Sequence, residues 1–75
     1  MKIHVKIITG QTLTLNVESN DSIEDVKQYI ENHENGISKS LIKALFFNEI
    51  NLNDAQFVSD YNIQDDSTLY IVTRL

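Results

Sequence analysis

The sequence predicts a small α+β domain in the order β-β-α-β-β-β, one mixed sheet covered by a single helix. Three observations carry that prediction. Two runs of strict hydrophobic alternation flank a glycine turn. One apolar stripe of helical period follows them directly. The remainder then returns to short apolar runs of strand character. A hairpin and later strands make one sheet with an apolar face, and one amphipathic helix is enough to cover it.

Met1 to Ile8 alternates, with Met1, Ile3, Val5 and Ile7 on one face and Lys2, His4 and Lys6 on the other. Period two in β-branched residues marks a half-buried strand. Thr9-Gly10-Gln11 interrupts it, Gly10 providing the positive φ that tight turns need. From Thr12 to Glu18 the alternation resumes, with Leu13, Leu15 and Val17 inward. Two such runs around a glycine turn make a β-hairpin.

After the polar cluster Ser19-Asn20-Asp21-Ser22 the period changes. Ile23, Val26 and Ile30 fall at i, i+3 and i+7, one stripe of an amphipathic helix. Ser22 is suited to the N-cap, Asp25 three residues later to the reciprocal half of a capping box, and Glu24 and Asp25 to the positive end of the helix dipole. The helix is expected over 23–34, stopped by Asn35-Gly36 in the left-handed conformation of a C-terminal cap. Leu41 to Phe47 is the third strand. Ile50 to Leu52 is a short fourth after a turn at Asn48-Glu49, and 53–64 is loop with a helical turn near Phe57 to Ser59. Ser67 to Thr73 is the last strand, with Leu69 and Ile71 inward and Tyr70 and Val72 outward.

Seventy-five residues hold one core, so residues 1–75 are read as a single domain. The absence of cysteine removes disulfides and thiolate metal sites, and fits a reducing, intracellular setting in the cytoplasm or nucleus. No apolar run approaches the length of a membrane span, so no membrane partner is expected. A formal charge of −5 opposes a phosphate backbone and argues against nucleic acid as a partner.

Nothing in the sequence assembles a catalytic constellation, and no cofactor is expected. His4 and His33 are the only histidines, without a cysteine near either. His33 near the helix end suits a cation facing the dipole. Asp65-Asp66 and Glu24-Asp25 are adjacent carboxylates, which diverge rather than oppose one another. Two glycines cannot build a phosphate loop. The expectation is a monomeric binding domain.

The residues that carry a family resemblance are Thr12-Leu13-Thr14-Leu15-Asn16-Val17-Glu18, Asp21-Ser22-Ile23-Glu24-Asp25-Val26-Lys27, Ser59-Asp60-Tyr61-Asn62-Ile63-Gln64 and Ser67-Thr68-Leu69. With them the chain resembles ubiquitin from Met1 to Leu75, which implies the β-grasp fold. The resemblance needs one extra residue at Asn35 and another between Ser38 and Lys43. Lys43 then falls where ubiquitin keeps a largely buried glutamine. A lysine buried without a partner is costly, so a local bulge or shifted register is expected there.

By alternation Ile8, Phe46, Tyr70 and Val72 point away from the face that the helix covers. Apolar and aromatic groups gathered on an open sheet face suggest a binding patch. The resemblance implies the same, since these positions match ubiquitin's recognition patch of leucine, isoleucine, histidine and valine, where small helical ubiquitin-binding domains dock. Phe46 and Tyr70 are larger than the residues they replace, which alters receptor preference. His4 matches a phenylalanine of ubiquitin's secondary patch, and with Thr14 it forms a candidate secondary patch here.

Thr73-Arg74-Leu75 matches ubiquitin just before its terminal Arg-Gly-Gly, and the diglycine handle for adenylation does not follow in these residues. Arg74 and Leu75 are the candidate tail contacts. Arg74 matches an arginine used with activating enzymes, while the other expected basic position holds Ala44. Lys6 and Lys27 keep family positions. The two positions most associated with chain linkage carry Ile50 and Asp65, and Gln11, Tyr29 and His33 replace three more lysines. Lys6 is thus the candidate acceptor, and Lys27 is structural, its family counterpart pairing with the acid matched by Asp54.

Three readings stay open. The chain is a ubiquitin-like modifier or a modifier unit of a precursor, served by activating, conjugating or self-processing machinery. Alternatively it is a fixed docking domain of a larger adaptor, bound by ubiquitin receptors. The third is a β-grasp interaction scaffold outside the ubiquitin system, which the fold alone permits.

Overall fold

The structure, a computed structural model, describes residues 1–74. Strands β1 (Lys2–Lys6) and β2 (Thr12–Asn16) form the hairpin, followed by α1 (Ile23–Asn32), β3 (Ile42–Phe47), β4 (Ile50–Asn51) and β5 (Thr68–Thr73). Short 3-10 turns precede β3 at Lys39–Leu41 and lie at Val58–Tyr61. The sheet order is β2-β1-β5-β3-β4. β1 runs parallel to β5, and the other pairs are antiparallel. This is the mixed sheet with one covering helix, the ubiquitin-like β-grasp.

The core follows the alternation. Ile3, Val5, Leu13 and Leu15 of the hairpin, Ile23, Val26 and Ile30 of α1, Leu45 of β3 and Leu69 and Ile71 of β5 are all buried together. Each such side chain contributes about 1.5–3 kcal/mol when fully withdrawn from water. The helix begins as expected. The Ser22 hydroxyl oxygen accepts from the Asp25 N–H at 3.0 Å, and the Asp25 carboxylate accepts from the Ser22 N–H at 3.1 Å.

Its end differs from expectation. α1 stops at Asn32 rather than residue 34, and the cap residue His33 is extended, with φ −69° and ψ 139°. Neither Asn35 nor Gly36 has positive φ. Gly36 serves by lacking a side chain, because a Cβ there would overlap the Ile30 carbonyl oxygen. Close approach, not a left-handed cap, is what the glycine provides. At the cap itself, His33 Nδ1 accepts from the Asn35 N–H at 3.0 Å.

Other strand ends also move. β1 closes at Lys6, and Ile7 and Gly10 form a turn in which the Gly10 N–H donates to the Ile7 carbonyl at 2.8 Å, with Gly10 at φ 95°. Leu41 belongs to a 3-10 turn, not to β3, and the helical turn anticipated near Phe57 begins at Val58. Asn48 and Glu49 join β3 to β4 with φ of 51° and 66°, the paired positive values of a type I′ turn. The extra residue before Lys43 is absorbed as a bulge, since the β3–β5 register shifts between Ile42 and Ala44 and leaves Lys43 exposed.

Candidate functional site

The face of the sheet turned away from α1 carries the residues singled out as a patch. Strand pairing sets them in rows. Phe46 lies opposite Tyr70, and Tyr70 is in register with Lys6 on β1. One step along, Ala44 lies opposite Val72. Ile8 enters from the hairpin turn rather than from β1 and is the most open of them, 75% exposed.

Ile8, Tyr70 and Val72 line one shallow apolar depression of roughly 370 Å³, with Lys6 and Gly10 at its margin. Tyr70 and Val72 remain 52% and 39% exposed. Phe46 is different. It is only partly exposed, does not line the depression, and reaches the patch through its cross-strand contact with Tyr70. Phe46 shares the outer face with Tyr70, as alternation predicts, and is less open than its three companions. Its cross-strand partners are Tyr70 on β5 and Asn51 on β4.

His4 and Thr14 also come together, on the same outer face nearer the start of the sheet. His4 Nδ1 lies 3.2 Å from Thr14 Oγ1, and Nε2 lies 3.2 Å from Asp66 Oδ1. Asp66, at φ 66°, was not foreseen as a partner. Its neighbour Asp65 accepts from the Lys2 N–H at 2.7 Å, so the two adjacent carboxylates do diverge to different strand atoms. His4 is therefore tied to Thr14 of β2 and to Asp66 just before β5 rather than freely solvated.

Lys27 is held. Its ammonium lies 2.5 Å from Asp54 Oδ1, and its side chain is 12% exposed. Lys6 is exposed beside the apolar depression. Arg74 is also exposed, and its N–H donates to the Leu41 carbonyl at 2.8 Å, which ties the chain end to the start of β3. Leu75 lies outside the described residues.

The ubiquitin family model matches residues 3–75. This chain belongs to the ubiquitin family. It is 32% identical over 75 residues to the ubiquitin-like protein NEDD8 of Dictyostelium discoideum, a match that spans 100% of this chain and 95% of that protein. Within this ubiquitin-like domain one feature escaped the sequence reading. Lys27, Lys39, Lys43 and Arg74 gather around a second depression, beside Glu24 and Asp54. They come from three separate parts of the sequence, and only the extra residue before Lys43 hinted that this corner departs from the family pattern.

Proposed function

We propose that this chain is a ubiquitin-like protein modifier, or a modifier unit of a precursor, that acts by being bound rather than by catalysis. Receptors of the helical ubiquitin-binding kind would dock on Ile8, Phe46, Tyr70 and Val72. The observation that carries the reading is the apolar depression that Ile8, Tyr70 and Val72 enclose on a sheet face with no helix over it. Membership of the ubiquitin family supports it. The likeness to NEDD8, a ubiquitin-like protein, supports it further. On this proposal Arg74 and Leu75 meet activating or self-processing machinery, Lys6 is the exposed acceptor amine, and the setting is cytoplasm or nucleus.

A second reading is a fixed docking domain in a larger adaptor. Ile50 and Asp65 favour it, because they stand where linkage lysines are expected and offer no amine. The two separate in one experiment. The coding region would be expressed in native cells with its natural downstream residues and an N-terminal tag, then purified under denaturing conditions for mass analysis. A ladder of heavier species whose tail forms an amide with other proteins is the result expected of a modifier. One uncleaved larger protein without conjugates would overturn that reading in favour of the docking domain.

A further inference from the structure

We propose that the depression between the first turn of α1 and the joined ends of β3 and β5 binds an acidic segment of a partner protein, through Lys39, Lys43 and Arg74. This surface is separate from the apolar patch; it shares Arg74 with the contact proposed above for activating machinery, and the peptide binding tested below does not require conjugation. The chain holds six Lys and Arg in all and carries a charge of −5. Lys27, Lys39, Lys43 and Arg74 nevertheless converge on this one hollow of roughly 280 Å³.

The acids on its rim leave positive charge over. Asp54 is engaged with Lys27 at 2.5 Å, and Glu24 meets Lys39 more loosely at 3.6 Å. Among the described residues neither Lys43 nor Arg74 has an ion-pair partner.

The backbone holds these two cations together. Ile42 pairs with Thr73 and Ala44 with Val72, so Lys43 is the additional residue of the bulge. Val72 faces outward and Ile42 is buried against the core. Regular alternation from Ala44 would therefore turn Lys43 toward the core. The bulge instead keeps its ammonium at the surface, re-aimed into the hollow, a recurrent use of bulges beside functional sites. Arg74 is anchored next to it by its hydrogen bond to the Leu41 carbonyl.

The occupant follows from charge and size. The net negative charge repels a long polyanion at a distance, so the hollow selects an anion recognised at contact range, within a Debye length of about 8 Å. A hollow of this size receives one or two side-chain carboxylates and gives no continuous track for a phosphate backbone. Carboxylates of a short acidic segment meet both conditions, with Arg74 as the bidentate donor and Lys43 as the point charge.

The test uses the full chain, labelled with ¹⁵N, and a short peptide alternating Glu and Ser. A counterpart with Gln for Glu and a single-stranded oligothymidylate serve as competing probes. The expected result is saturable shifts confined to Lys39–Lys43 and the Arg74 region, absent with the Gln peptide and suppressed by salt. Lys43→Gln, at an exposed position that leaves the melting temperature unchanged, should weaken the Glu peptide about three- to fivefold. Lys2→Gln, which removes the same charge at the far end of the sheet, should leave affinity unchanged. Shifts spread over Lys2 and Lys6, equal binding of the Gln peptide, or an unaffected Lys43→Gln would overturn the proposal. Tighter capture of oligothymidylate at the same residues would overturn the assignment of a protein partner.

Discussion

Phe46 of β3 stands directly opposite Tyr70 of β5, yet the two rings differ in exposure, Phe46 partly covered and Tyr70 52% open. Phe46 is thus a supporting wall and Tyr70 the presented surface. Phe46→Ala removes contacts on two strand neighbours and should lower stability by about 1–2 kcal/mol, less than a fully buried phenylalanine would. Tyr70→Ala should stay within about 0.5 kcal/mol, as surface changes do. Urea unfolding of both variants checks this, and equal losses would contradict the division of roles.

Gly36 supports the last turn of α1 by close approach. A methyl group there meets the Ile30 carbonyl oxygen and carbon, both backbone atoms that cannot swing aside. Gly36→Ala is expected to cost about 1–3 kcal/mol through overpacking. A glycine needed only for its φ would not meet that overlap. A thermal melt of Gly36→Ala within error of the parent would show that the segment after α1 shifts freely.

The helix and hairpin were legible because their evidence is local. Alternation in 1–7 and 12–17, the stripe of Ile23, Val26 and Ile30, and the Ser22–Asp25 capping box need only neighbouring residues. The bulge at Lys43 was legible from energetics, since a lone buried ammonium is costly. Gly36 was misjudged because its role depends on where the Ile30 carbonyl lies, which a cap pattern does not state. The outward placing of Ile8, Tyr70 and Val72 followed from alternation along the first and last strands. The cover over Phe46 did not, because it comes from the pairing of three strands. The cationic hollow joins residues from α1, β3 and the chain end, and no periodicity reports such convergence.

Lys27 and Lys6 should separate chemically. Lys27 is 12% exposed and bound to Asp54, whereas Lys6 is open. Limited acylation with an amine-reactive acetate ester, followed by peptide mass analysis, should label Lys6 well before Lys27. Lys27→Gln should also cost about 1 kcal/mol, a modest figure because Asp54 keeps much of its solvation. Equal labelling rates would contradict the structural role of Lys27.

Glu31 couples the segment after α1 to acidity. Its carboxylate accepts from the Lys39 N–H at 2.8 Å and from the Gln28 amide at 3.2 Å, and the Lys39 backbone bond above all holds its pKa below the ordinary glutamate value. The folded state then favours the ionised form, so the unfolded chain binds the proton more readily. The stabilisation is complete above the unfolded value of roughly 4.3 and is lost as pH falls through the lowered folded one. The melting-temperature gap between the parent and Glu31→Gln should accordingly be present at neutral pH and close on acidification. A gap independent of pH would contradict the assignment.

The most direct test of the central claim is a binding isotherm against a small helical ubiquitin-binding domain, comparing the parent with Tyr70→Ala. Recognition through the patch of Ile8, Phe46, Tyr70 and Val72 predicts a loss of about 1–2 kcal/mol in affinity with the fold intact. An isotherm unchanged by Tyr70→Ala, from a parent that does bind, would contradict it and remove the patch from the account.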